Sequence, residues 1–327
     1  GIQNLIIDQL EYDNLSGDHV LDSRKLHWDM ELVDNRQKIF TVGAEIPVYL
    51  SLSDLNLDIA ETEQFSVQIV ADSLPVEAVL GDYLKQAEIK GLLQSDFQMF
   101  NTINEPNLRG HLNIDQGTIR LEPYGINYDN IQVQIKADSG RIVLKKLKAQ
   151  REKGYLEANG HISFDKNLIS GKISSTNFQL LAKDFYLAQN KNFEIQINAD
   201  TEVHGTGESA EFEGIIEISR SSFYMPAVME QFGGKPLEED PDKPLLVKAT
   251  EESGIPVDEG TVDSTRAPVS EMKSPPVLKR LTGKVKLSIP RNTWLKGPNI
   301  LMELDGEMDL VKQEKYFELF GQIGIVR

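Results

Sequence analysis

The chain has no cysteine. That rules out disulfides, thiolate nucleophiles and cysteine-ligated metals, and it suits a reducing or an oxidising compartment equally. It also has no run of about 18 apolar residues, the length a helix needs to cross a bilayer. Gly1-Ile2-Gln3-Asn4 offers neither an initiator methionine nor the start of a signal peptide, so the sequence reads as a piece of a longer or processed protein. Positive charge is scarce: 34 Lys and Arg stand against 51 Asp and Glu, a net charge of −17. Such a surface repels nucleic-acid backbones and anionic membranes, so no nucleic-acid partner is expected. Aromatic residues are only 7% of the chain, which weakens a secreted carbohydrate-active or adhesive β-solenoid, because that fold would display aromatic platforms or clustered carboxylates.

What the chain does have is alternation. Val285, Leu287 and Ile289 alternate with Lys284, Lys286 and Ser288; Pro290 ends the run and Lys296-Gly297-Pro298-Asn299 turns the chain. Met302, Leu304, Met308 and Leu310 then alternate with Glu303, Asp305, Glu307 and Asp309, with a bend at Gly306, and Phe317, Leu319, Ile323 and Ile325 keep the same period. A period of two is that of a strand with one dry face. The pattern begins early. Trp28, Met30 and Leu32, then Phe40 and Val42 after an Asp34-Asn35 turn, then Val48, Leu50 and Leu52, and then Phe65, Val67 and Ile69 all follow it. Ile114, Ile119 and Leu121 flank an expected turn at Asp115-Gln116-Gly117; Ile131, Val133 and Ile135 precede one at Asp138-Ser139-Gly140. Ile195, Ile197, Ile216 and Ile218 carry a looser second round. The repeat has no fixed length, which argues against a fixed-rung solenoid.

Two stretches depart from this. From Ser73 to Gln86 the apolar residues Val76, Val79, Leu80, Tyr83 and Leu84 fall at helical spacing, with Ser73 as cap and Pro75 near the first turn, so one short helix is expected near 75–86. From about Glu230 to Pro276, seven prolines and a Glu238, Glu239, Asp240, Asp242 cluster leave too little apolar surface to offset ordering entropy. The expectation there is a disordered excursion rather than a calcium site, since the EF-hand spacing is absent. The chain accordingly divides into a leading β segment (1–64), a main β segment (65–229), the acidic Pro-rich loop (230–277) and a closing β segment (278–327).

The motifs of chemistry are weak. Gly205-Thr206-Gly207-Glu208-Ser209-Ala210 matches a dinucleotide fingerprint in form, but the fingerprint needs a helix next, and alternation follows instead. His19, His27, His111, His161 and His204 never pair at metal-ligand spacing. Glu303 with Asp305 and Glu307 with Asp309 read as solvated outer faces rather than acid/base dyads. No nucleophile motif, catalytic residue, metal or cofactor is expected. For an arbitrary β protein the apolar rows would simply form a core.

Two stretches, however, resemble the C-terminal region of the TamB family and its AsmA-like relatives. One is Gly110-His111-Leu112-Asn113-Ile114-Asp115-Gln116-Gly117-Thr118-Ile119 through Phe164, closing on Gly154-Tyr155-Leu156 and Gly160-His161-Ile162. The other is Leu281 to Arg327, with Ile289-Pro290-Arg291-Asn292-Thr293-Trp294 and Leu304-Asp305-Gly306-Glu307-Met308. The resemblance runs from about Phe65 onwards, and it also accounts for the Gly205 to Pro226 stretch. It implies an all-β, elongated, U-shaped "β-taco" sheet of long strands whose concave face is a continuous apolar groove. It further implies a non-enzymatic role in envelope biogenesis in the periplasm of a diderm bacterium. The partners would be phospholipid, a TamA-like outer-membrane barrel-assembly protein, and the inner membrane through an N-terminal anchor outside this sequence. Phospholipid acyl chains shielded in the groove are the first expectation; a scaffold or chaperone that captures strands of outer-membrane barrel proteins by strand addition is the alternative. The groove candidates are the alternating residues named above, from Ile114 to Ile325.

Overall fold

The computed structural model describes residues 1–7, 10–22, 24–51, 56–80, 87–165, 172–206, 209–227, 281–313 and 316–327. These form one long curled sheet of 17 strands that does not close on itself. In chain order they are β1 (Ile2–Ile7), β2 (Leu10–Asp22), β3 (Lys25–Asp34), β4 (Gln37–Ser51), β5 (Asn56–Ile59) and β6 (Gln64–Pro75). After the helix α1 (Glu77–Leu80) come β7 (Glu88–Thr102), β8 (Pro106–Leu121), β9 (Ile126–Asp138), β10 (Arg141–Arg151) and β11 (Gly154–Phe164). β12 (Ile173–Gln189), β13 (Phe193–Thr206), β14 (Ser209–Tyr224), β15 (Leu281–Lys296), β16 (Leu301–Gln313) and β17 (Tyr316–Ile325) complete it. Each strand pairs with its neighbours in sequence, except that β4 pairs with both β6 and the short β5.

All pairings but one are antiparallel. β14 and β15 run parallel, with Ala210 opposite Leu281 and Tyr224 opposite Lys296. A hairpin cannot make that junction; parallel neighbours need a crossover. The long Pro-rich stretch is therefore a topological requirement. It must carry the chain from the Tyr224 end of the sheet back to the Leu281 end, about 50 Å for strands of this length.

Several punctuation signals that read as turns lie inside strands. β8 runs unbroken through Asp115-Gln116-Gly117, where the register jumps and Gln116 takes φ 58°. β15 continues past Pro290, with Arg291 and Asn292 at φ 46° and 63° and a register shift between Ile289 and Thr293. β6 extends through Ser73, at φ 64°, to Pro75, so Ser73 sits at a bulge and its hydroxyl contacts Asp72 rather than capping a helix. Each is a β-bulge, which bends a strand and increases its twist without ending it. Of the expected helix the described part is Glu77–Leu80, and residues 81–86 lie outside the described residues, as does the excursion from 228 to 280. Asp34-Asn35, Asp138-Ser139-Gly140 and Lys296 to Asn299 do join hairpins as expected.

Candidate functional site

Residues paired across a ladder share a face, so the register states which side chains line up. Leu112 and Ile114 oppose Ile135 and Val133, Gly117 opposes Ile131, and Ile119 opposes Tyr128. Ile135 and Val133 oppose Leu144 and Leu147, and the row continues through Leu156, Ala182 and Ala199 to Ile216. Ile195 opposes Ser221; Ile197 opposes Phe185, and Ile218 lies at the β14 bulge beside it. Ile216 meets Leu287 across the parallel junction. Val285, Leu287 and Ile289 then oppose Leu310, Met308 and Gly306, and Met302 and Leu304 oppose Leu295 and Thr293. Finally Leu304, Gly306, Leu310 and Lys312 oppose Ile325, Ile323, Leu319 and Phe317. The candidate residues thus occupy one row that crosses every strand from β8 to β17. The side chain of Phe317 lies outside the described ones.

This row is wrapped differently along its length. Ile197, Val285 and Ile289 are buried, most of the others are half-buried, and Leu319, Ile323 and Ile325 on β17 are 57%, 50% and 68% exposed. Two groups of buried residues pack into clusters. In one, Leu32 of β3, Leu74 of β6 and Ile89 and Leu93 of β7 pack with Val76, with Ala78 and Leu80 of α1 against them. In the other, Ala149, Ala182, Phe185, Ile197 and Ala199 pack together with Tyr128 and Ile131.

The second cluster fixes the direction of the curl. Tyr128 is on β9 and Phe185 on β12, strands that a flat sheet would hold about 14 Å apart. Their ring centroids are 4.9 Å apart. The apolar row is therefore on the inside of the curl here. Polar bonds lock the same contact: Tyr128 donates to the Leu187 carbonyl at 2.7 Å and the Gln189 N–H to the Gly125 carbonyl at 3.1 Å. Arg151 donates to that same carbonyl at 2.7 Å and to Gln189 Oε1 at 3.0 Å. Gly125 has φ 61°, and a Cβ there would lie 2.0 Å from the Gln189 carbonyl oxygen, so only glycine lets the two strand ends meet. Burial raises the Tyr128 phenol above its ordinary range, although Arg151 nearby pulls it down. Gly125, Tyr128, Arg151, Phe185 and Gln189 went unnoticed in the sequence. Their only signal was the Pro123-Tyr124-Gly125 break, which marks a turn and not what the turn touches.

The opposite row is polar and ion-paired. Lys284 reaches Asp309 and Lys286 reaches Glu307, both at 2.8 Å, and Lys148 reaches Glu157 at 2.9 Å. Glu307 and Asp309 thus behave as an outer face, but Glu303 does not: it is 8% exposed. The bulge at Asn292 turns its N–H onto Glu303 Oε1 at 3.1 Å, and Arg327, stacked on Trp294, approaches Oε2 at 2.9 Å. Its second partner, Asp305, has no such contact. At the dinucleotide look-alike β13 ends at Thr206 and β14 starts at Ser209, so a hairpin stands where the fingerprint requires a helix. Among the described residues no three His, Cys, Asp or Glu side chains gather to hold a metal ion, and no helix is long and apolar enough to cross a membrane.

A family model of the TamB C-terminal domain matches residues 145–327, more than half of the chain. The chain belongs to the TamB family. Membership assigns it to envelope biogenesis, in lipid or protein transport, and to a family that works with TamA in outer-membrane assembly. The family is a transport and assembly module and is not known for enzymatic activity. The match covers β11 to β17 whole and most of β10, including the parallel junction, while β1 to β9 precede it. No curated protein and no solved structure matches the chain.

Proposed function

We propose that the apolar row is a continuous groove that shelters phospholipid acyl chains and lets them slide between membranes in the periplasm. The observation that supports this reading is the incomplete burial of the row: Val285 and Ile289 are buried outside the two packed clusters, but most of the remaining candidates are half-buried and Leu319, Ile323 and Ile325 are exposed. A sheltered methylene is stabilised by about 0.8 kcal/mol, so one acyl chain gains on the order of 10 kcal/mol before ordering costs. Since neighbouring positions along such a row are alike, movement from one to the next changes that energy little. No chemical step is involved, and no catalytic residue is assigned.

Photo-crosslinkers at Leu287, Leu304 and Val133 should give phospholipid adducts, while those at Lys286 and Glu307 on the polar face should give few. Equal adduct yields on both faces would remove the groove reading.

One observation favours a second reading. β17 pairs only with β16 among the described strands, and Leu319, Phe320, Ile323 and Ile325 on it are exposed. An edge of this kind accepts a further strand, as in capture of a nascent barrel segment or contact with a TamA-like barrel. Crosslinkers at Leu319 and Ile323 that trap protein without lipid, while Leu287 traps neither, would favour strand addition.

A further inference from the structure

We propose that the single turn formed by residues 76–80 is an autoinhibitory occupant of the apolar row: it sits where an acyl chain would lie and is displaced by one. The inference rests on the groove reading above and adds how that groove is regulated. Val76 is 3% exposed and packs among Leu32 of β3, Ala71 and Leu74 of β6, and Ile89 and Leu93 of β7, with Ala78 and Leu80 against the same cluster. The strand residues under it belong to the row, because Leu93 opposes Ile114 and Ile89 opposes Ile119. The turn therefore covers the row with aliphatic side chains, as a hydrocarbon chain would.

Its backbone is lightly tied. Among the described residues the Val76 N–H donates to the Gly91 carbonyl at 3.0 Å, while the Val79 and Leu80 N–H groups donate to the Val76 carbonyl, within the turn itself. One turn of helix gains too little from its own bonds to persist without packing. The bulge at Ser73, with a register shift between Ala71 and Leu74, stands where β6 leads into the turn and where a hinge is needed.

Its seat also contains polar atoms with nothing to bond. The Tyr12 hydroxyl, on a residue 3% exposed in the same cluster, and Glu77 Oε2 are both buried without a hydrogen-bond partner. The two groups are neighbours: burial raises the Tyr12 phenol most, and the charges of Asp34 and Glu77 add to it. Each unpaired atom loses its water when the turn is seated and regains it when the turn leaves, so closure carries a penalty that opening relieves. The cluster between β9 and β12 is built otherwise, since Tyr128, Arg151 and Gln189 all have partners across that contact. Of the two clusters, the one under the turn is the one that yields.

Hydrogen exchange at the Val76 amide reads the seat directly. Adding dioleoylphosphatidylcholine vesicles should lower its protection at least about tenfold, while the Gln189 amide keeps its own. Tyr12→Phe combined with Glu77→Leu removes both unpaired atoms. Without lipid it should raise Val76 protection at least about tenfold, and with lipid it should cut phospholipid adducts at a photo-crosslinker on Ile114 by a similar factor, leaving those at Leu287 unchanged. Leu80→Ser should shift both readouts the other way, with circular dichroism to verify each fold. Adducts at Leu287 with Val76 protection unchanged by lipid overturn the proposal and leave the groove standing. Equal Ile114 adduct yields with and without the Tyr12 and Glu77 substitutions overturn it too, as does an equal loss of protection at Gln189, which would be general loosening. No adducts at either Leu287 or Ile114 would remove the groove itself, and its occupant with it.

Discussion

Replacing Phe185 by alanine tests the contact that curls the sheet. Phe185 is 1% exposed and packs with Ala182, Ile197 and Ala199 as well as with Tyr128. Removing a phenyl ring from such a site costs about 3 to 5 kcal/mol, of which the ring pair with Tyr128 contributes roughly 0.5 to 1.5. A long sheet need not unfold in one step, so a single melting curve would blur the loss. Native-state hydrogen exchange avoids this. The Gln189 N–H donates to the Gly125 carbonyl across the contact and reports its opening directly. In Phe185→Ala its protection should fall roughly 150-fold to 5,000-fold, while amides of the β15–β16 ladder keep theirs. Tyr128→Phe loses only the bond to Leu187, about 0.5 to 1.5 kcal/mol, so Gln189 should lose roughly twofold to tenfold. A change under twofold in Phe185→Ala would mean that β9 and β12 are not held together by this side chain. An equal loss in β15–β16 would mean that the sheet opens as one unit; either outcome refutes the argument.

The parallel junction gives a second test. A Cβ on Gly283, whose φ is +148°, would lie 2.0 Å from the Phe212 carbonyl oxygen, so Gly283→Val should separate β14 from β15 and expose both to proteolysis; a protease-resistant variant contradicts this register. Ser221 and Thr293 form a buried hydroxyl pair at 2.9 Å in the same junction. Ser221→Ala or Thr293→Val alone should cost about 1 to 3 kcal/mol in urea unfolding, and the double variant markedly less than the sum, because neither hydroxyl is left orphaned. Burial raises the phenols of Tyr12 and Tyr128, so both stay neutral in the fold after an unfolded chain would have ionised them. Their contribution is complete below the unfolded value of about 10 and is lost as pH rises through the folded values. Tyr49 is raised too, by its hydrogen bond to Glu63, so absorbance titration should show late-titrating tyrosines, Tyr12, Tyr49 and Tyr128 among them, that become early ones in 8 M urea.

The strands were legible in the sequence because one face is apolar and the period of two repeats through every segment. The candidate row was legible for the same reason, since residues such as Leu287 and Met308 need only the alternation and the hairpin to be placed together. What misled was punctuation. Gly117 and Pro290 carry the same local signals whether a strand ends or bulges, and only the partner strand decides. Glu303 looked like its neighbours Asp305 and Glu307 because its burial depends on the bulge at Asn292 and on Arg327, 24 residues away. The parallel junction had no local signal at all, as Ile216 and Leu287 alternate alike in either direction. Nor did the contact between Tyr128 and Phe185, which exists only once three ladders have set the curvature.

Those bulges explain the shape. An open sheet of this many strands twists until it curls, splits or closes. Among the register shifts, those in β6, β8, β9, β12 and β15 each carry a residue at left-handed φ: Ser73, Gln116, Asn130, Asp184, and Arg291 with Asn292. Only some are the Asn or Asp that tolerate this conformation most readily; Gln116 and Arg291 adopt it at a cost that the ladders on both sides must offset. The sheet therefore bends repeatedly at set positions, and where two bent regions face each other the apolar row is buried, under α1 and between β9 and β12. Val285 and Ile289 on β15 are buried as well, while most of the row elsewhere is half-buried and its β17 end is exposed. Closing those stretches would bury more apolar surface, and the alternation would permit it; the most exposed end of the row lies on β17, which has one neighbour among the described strands.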